Sequence, residues 1–326
     1  MKTVETYQLD VWKGDWGLPS IDINCLQALA YAKFCKIPLK INATNNPYRS
    51  PNGQLPVLRH QYGIDYTIRN ILQFFRKNNY CLDFGLSPKQ CADVNAYETM
   101  LKEELFPALQ FIWWVDERNF RQVIRPWYGK AMPYFLNYYY PSKYEKEAKT
   151  LMESLYPTED EISNIETDVY GKAQKCLTLL SNRLGDKDYF FGSKPTTLDA
   201  IIFSYLAPIL RIPLLNNALK NHLTACVNLE DFVVRISVKY FENDYRLYEK
   251  EIKMKNTSEP NKTEEEIDFP HKSRNKILAG VFATVAMLGF AIFSGILEVP
   301  ANDEDYDSSE YTLDNQDFYD EDYEDE

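Results

Sequence analysis

The spacing of apolar positions changes character along the chain. Over the first 80 residues, short alternating runs are interleaved with helical ones. Glu5–Trp12 has the two-residue period of a strand, with Tyr7, Leu9 and Val11 apolar. Leu18-Pro19-Ser20 breaks that run, and Ser20 is read as the N-cap of a helix over Ile21–Phe34. Leu26, Ala30 and Phe34 recur there every fourth residue. Leu39–Ile41 reads as a second strand, and Asn46-Pro47 and Asn52-Gly53 mark the loop after it. Leu55–Leu58 and Gly63–Tyr66 read as two more strands. Thr67 then caps a helix to Lys77 with Ile68, Ile71, Leu72 and Phe75 on one face. From Ser87 onward only helical spacing remains. Tyr170, Ala173, Leu177, Leu180 and Leu184 form one stripe, and Leu229, Phe232, Val233, Ile236 and Tyr240 form another. Thr196 and Asp199 stand at capping-box separation before Ala200–Leu210, an uncharged run too short to span a membrane but suited to a central buried helix.

The order is β-α-β, then β-β-α, then helices. It predicts an α+β, thioredoxin-like N-terminal domain over residues 1–80 and an all-α domain over 87–248. Pro56 stands at the start of a central strand, a position that a cis peptide bond explains.

Beyond the helices the pattern changes again. Residues 249–276 are polar, with Pro260 and the run Glu264–Glu266, and read as a linker. Residues 277–297 are 21 consecutive uncharged positions. At about 1.5 Å per residue they span roughly 31 Å, enough for the hydrocarbon core of a bilayer. Lys272, Arg274 and Lys276 precede this stretch and acid follows it, which predicts a body in the cytosol and a tail across the membrane. The last 29 residues, 298–326, are read as a disordered tail.

Charge changes the picture only once it is located. The net charge is −12, but 14 of the 48 acidic residues lie in 298–326, which has no Lys or Arg. The remaining 34 acids face all 36 basic residues, so the body is nearly neutral and offers no basic footprint for nucleic acid. Six cysteines without a C-x-x-C and only three histidines give no metal-ligand spacing, and no cofactor is expected. Met1–Asp10 lacks the basic start and apolar run of an export signal.

Phe190-Phe191-Gly192-x-x-Pro-x-Thr-x-Asp199-Ala200 resembles the helix-capping signature of the glutathione-transferase superfamily, and the domain order is similar to its fold. A closer resemblance runs in order along residues 1–297: Trp16-Gly17-Leu18-Pro19-Ser20, Asn46-Pro47, Ser50-Pro51-x-Gly53-x-Leu55-Pro56, Trp127-Tyr128, Ala131-Met132-Pro133, Cys176 to Ser181 and Leu198-Asp199-Ala200, followed by the terminal apolar stretch. This set looks like the metaxin family, closest to its type 1 members. The resemblance implies the mitochondrial outer membrane and association with a type 2 metaxin. It also implies contact with the β-barrel assembly pore subunit of the sorting and assembly machinery, with roles in protein import and, through Miro, in coupling to motor adaptors.

A transferase would need a hydroxyl or thiol near the end of the first strand, a cis-proline, and an acid with a serine at a helix start. Pro56 matches the second requirement. Ser20 and Cys25 are candidates for the first, read here as a cap and a core residue. The third is only imitated, by Asp65 and Thr67. The reading is therefore non-enzymatic, with a membrane-tethered glutathione-dependent transferase, or an adaptor linking mitochondria to microtubule motors, as the alternatives. Dense aromatics in the helical half are the candidate partner interface: Trp113, Trp114, Trp127, Tyr128, Tyr138, Tyr139 and Tyr140.

Overall fold

The computed structural model describes residues 7–133, 135–158 and 161–258, together with Thr284 and Met287. Residues 1–260 form one compact unit and 261–326 a second.

The sheet is built on β1 (Tyr7–Trp12), which is buried along most of its length. Its neighbours are β2 (Leu39–Thr44), parallel to it, and β3 (Val57–His60), antiparallel; β4 (Gly63–Asp65) pairs with β3 and gives the order β2-β1-β3-β4. One acid sits inside this sheet. Burial alone would raise the Asp10 carboxyl, but hydrogen bonds from Gln8 (2.8 Å), Asn42 (2.9 Å) and Arg59 (2.8 Å) hold it below the usual carboxylate range.

Helix α1 (Ile23–Phe34) crosses from β1 to β2 and is buried nearly all round, because α2 (Ile68–Lys77), α9 (Thr197–Arg211) and α11 (Val227–Tyr240) all pack on it. Its N-cap is Asp22, not Ser20. The Asp22 side chain accepts from the Cys25 N–H at 2.8 Å, and α1 begins two residues later than the sequence predicts. The Ser20 hydroxyl is buried and accepts from the Asp22 N–H at 3.4 Å. Strand β2 is longer than read, and β3 starts at Val57, because pairing with β1 fixes both extents. The Leu55–Pro56 peptide is cis, as Pro56 at a strand start predicts.

The helical half opens with α3 (Pro88–Met100), entered through a Ser87–Gln90 capping box. The path continues through the π-helical turn Leu101–Leu105, α4 (Phe106–Gln110), a second π turn over Phe111–Val115, the single turn α5 (Glu117–Asn119), a third π turn over Phe120–Ile124, and α6 (Arg125–Ala131). Long helices α7 (Leu136–Leu155) and α8 (Ile162–Leu184) follow, with α10 (Ala218–Ala225) after α9. As the uncharged run predicts, α9 is buried from Thr197 to Leu210.

Helix α12 (Glu242–Ser258) continues into the segment read as a polar linker, so its first ten residues are helical. The apolar stretch 277–297, its basic flank Lys272, Arg274 and Lys276, and the acidic tail lie outside the described residues, Thr284 and Met287 apart. Among the described residues no helix is long and apolar enough to cross a membrane.

Candidate functional site

The loop after β1, the start of α1 and the cis-proline turn face the helices from α4 to α7 across a cavity of about 240 Å³. All five tryptophans of the chain line it: Trp12, Trp16, Trp113, Trp114 and Trp127. Their rings interlock with Tyr128, which meets Trp12 edge-on at 5.6 Å, Trp114 at 5.4 Å and Trp127 at 5.0 Å. Tyr144 closes the group at 5.2 Å from Trp114. Such edge-to-face contacts add to the stabilisation that ring burial gives.

The β1–α1 loop carries the tightest backbone of the site. A Cβ on Gly14 would stand 2.0 Å from the Leu18 carbonyl oxygen, so only glycine fits. Gly17 has φ +78° and lies against Tyr248 of α12, whose ring a Cβ would approach to 3.1 Å. Trp16 between them has φ +53°, a left-handed conformation that costs energy for a bulky side chain. Its ring rests 5.8 Å from Trp127, and the Trp127 indole N–H donates to Asp15 at 2.7 Å. The loop is thereby clamped to α6.

Among the described residues the charged groups of the cavity wall are both acids, Asp22 and Glu147, with no Lys, Arg or His beside them in the lining. Burial raises the Asp22 carboxyl, against the N–H groups it caps. Burial and then the Asp22 charge push the Cys25 thiol well above its ordinary range, so Cys25 is a core thiol and not a nucleophile. Burial also raises the Tyr128 and Tyr144 hydroxyls, and no phenolate forms at neutral pH. The buried Trp113 indole N–H meets no acceptor among the described residues.

The residues weighed for glutathione do not converge on this cavity as a binding set. Asp65 is turned to His60, 3.1 Å away, and Thr67 caps α2 by accepting from the Asn70 N–H at 3.2 Å. Ser20 is bonded to backbone, as described. Pro56 adjoins Leu55, which does line the cavity. Thr196 and Asp199 lie at the start of α9. There Asp199 accepts from Phe190 N–H (2.9 Å), Thr196 N–H (2.7 Å) and the Thr196 hydroxyl (2.6 Å), with burial raising its carboxyl to about 6.

The aromatics proposed as an interface divide. Trp113, Trp114, Tyr128 and Tyr140 are buried, and Trp127 is half-buried against the core. The first two and Tyr128 close the cavity, so these rings present no outer surface. Tyr138 and Tyr139 are 63% and 60% exposed. Sequence reasoning missed Asp22 and the convergence of tryptophans separated by about a hundred positions. Among the described residues no group of acids, histidines and cysteines is placed to hold a metal.

A four-stranded thioredoxin-like sheet with its cis-proline, backed by a helical domain whose central helix opens on a Thr196–Asp199 capping box, defines a glutathione-transferase-like fold. A beta-etherase from Sphingobium superposes with TM-score 0.50 over 75% of this chain and 99% of its own, at 12% identity, a likeness of fold alone. The family model for the glutathione S-transferase C-terminal domain matches residues 173–236, and that for an outer mitochondrial membrane transport complex protein matches residues 25–145. Metaxin-1 of Macaca fascicularis is 38% identical over 90% of this chain and 91% of its own length. Metaxin-3 of Xenopus laevis is 41% identical over 73% of this chain and 77% of its own. The chain belongs to the metaxin family.

Proposed function

We propose that this protein is a non-catalytic subunit of a transport complex of the mitochondrial outer membrane, a cytosol-facing receptor or scaffold in the sorting and assembly of β-barrel proteins. The family matches support the membrane and the complex. The observation that carries the non-catalytic reading is the chemistry of the cleft. Glutathione brings two carboxylates, and the cleft offers it two acids, no basic side chain and a thiol and hydroxyls held neutral by burial. Ser20, Asp65 and Thr67 are each committed to local structure.

In this reading residues 277–297 anchor the chain, Lys272, Arg274 and Lys276 keep the body in the cytosol, and the acidic tail lies in the intermembrane space. Residues 1–80 and 87–248 act as one receptor body, and the exposed Tyr138 and Tyr139 contact a type 2 metaxin. Confinement to the membrane raises the effective concentration of both partners, so modest pairwise affinity suffices.

The test is affinity purification of the tagged full chain from mitochondria in mild detergent, against a version ending at residue 270. Recovery of a second metaxin and of the barrel-assembly pore subunit in comparable amounts is expected. The Tyr138→Ala/Tyr139→Ala double variant is expected to lose the metaxin while unfolding within about 0.5 kcal/mol of the parent, since both rings are at the surface. Purification of the full chain without either partner would sink the proposal.

A further inference from the structure

We infer that the tryptophan-lined cavity binds a small alkylated ammonium ion. Aromatic faces attract cations, indole most strongly, and the cavity gathers every indole of the chain around one space. Of the two carboxylates in its wall, Glu147 is exposed and paired with Lys143 at 3.8 Å, so Asp22 is the acid that would face a bound cation; among the described residues no Lys, Arg or His belongs to that wall. The backbone gives an independent sign. Trp16 is held at φ +53° with its ring on Trp127, and strain of that kind in a bulky residue collects at ligand clamps.

The same wall selects among cations. A primary ammonium has three donors and a guanidinium five, and each needs an acceptor once buried. Here the Asp22 carboxyl already takes the Cys25 and Asn24 N–H groups and the Cys25 thiol, and Glu147 is paired with Lys143 at 3.8 Å. A fully alkylated ammonium asks for no hydrogen bonds, buries its methyl groups on the rings and keeps the charge attraction. At about 240 Å³ the space falls below the range of drug-sized sites, which suits an ion of this size and not a tripeptide. This inference stands whether or not the chain works in an assembly.

Because all five tryptophans line the cavity, intrinsic fluorescence reads its occupancy directly. The full chain in a maltoside detergent, at constant ionic strength, is titrated with tetramethylammonium and choline. The uncharged isostere of choline, 3,3-dimethyl-1-butanol, and N-acetyl-arginine amide are titrated in parallel. Saturable changes with both ammonium ions are expected, at least about tenfold tighter than with the isostere or the guanidinium. Asp22→Asn, which keeps a capping oxygen, is expected to weaken choline binding severalfold and to leave the isostere unchanged. The proposal is overturned if protein with unchanged circular dichroism shows no saturable response up to about 100 mM ammonium ion. Equal binding of the isostere overturns it too, as does tighter binding of the arginine amide. The comparison of ligands on the parent protein stands even if the variant fails to fold.

Discussion

Two helices of this protein have an aspartate helping to cap their first turn, fully buried in one and half-buried in the other, and they use it differently. At the start of α9, Asp199 is sealed in the core and takes three donors, two backbone N–H groups and one hydroxyl. At the start of α1, Asp22 takes the Cys25 and Asn24 N–H groups and the Cys25 thiol in the wall of a cavity lined by indoles. The first acid is consumed by structure. The second does its capping in a cavity wall, where a ligand can reach it. Local sequence makes the two look alike, and only their surroundings separate a knot from a site.

Removing the two acids tests this contrast most severely. Asp199→Ala leaves three donors unpaired in the core and is expected to cost about 3–5 kcal/mol, read as thermal unfolding of the full chain. Asp199→Asn is expected to rescue little, because an amide has one oxygen for donors on two sides and turns its NH2 toward N–H groups. A cost below about 1 kcal/mol for either variant would erase the distinction between the two helix starts.

Titration gives the next largest effect. The Asp199 carboxyl sits at about 6 in the folded protein against an ordinary 3.8, so the folded chain holds its proton more tightly. The stabilisation from that proton is fully present below pH of about 4, falls as pH rises toward about 6, and is absent above. By linkage the change approaches about 3 kcal/mol. The difference in denaturant midpoint between the parent and Asp199→Asn, followed from acid to neutral pH, is expected to show this slope. The Asp22 carboxyl is raised in both proteins, so its contribution cancels in the difference.

The smallest effect sharpens the comparison from the other side. Asp22→Ala is expected to cost about 1 kcal/mol, the usual loss of a cap, and Asp22→Asn only a few tenths. An asparagine that rescues position 22 but not position 199 is the signature of one acid half-exposed in a cavity wall and another sealed in the core.

Much of this architecture is legible in the residues. Three positions separate Thr196 from Asp199, and the uncharged run after them already describes a capped, enclosed helix. Pro56 at a strand start points to its cis bond, and the change from period two to helical spacing marks where the sheet ends. The cavity was not legible for a physical reason. Trp12 and Trp16 meet Trp113, Trp114 and Trp127 only after the sheet packs on the helices, and spacing along the chain says nothing of that distance. Density misled in the same way. Trp113-Trp114 and Tyr138-Tyr139 are equally aromatic in sequence, yet the first pair falls inside and the second outside, according to which face of each helix meets the core. Ser20 and Asp22 are both good caps two residues apart, and the register of α1 chose between them.

Helix α12 reaches the same loop as the site. It is braced by the Arg211 guanidinium, 4.6 Å over the Tyr245 ring and 3.8 Å from Glu249, while Tyr248 lies against Gly17. The loop that carries Trp16 is thus a shelf on two brackets, Trp127 of α6 and Tyr248 of α12.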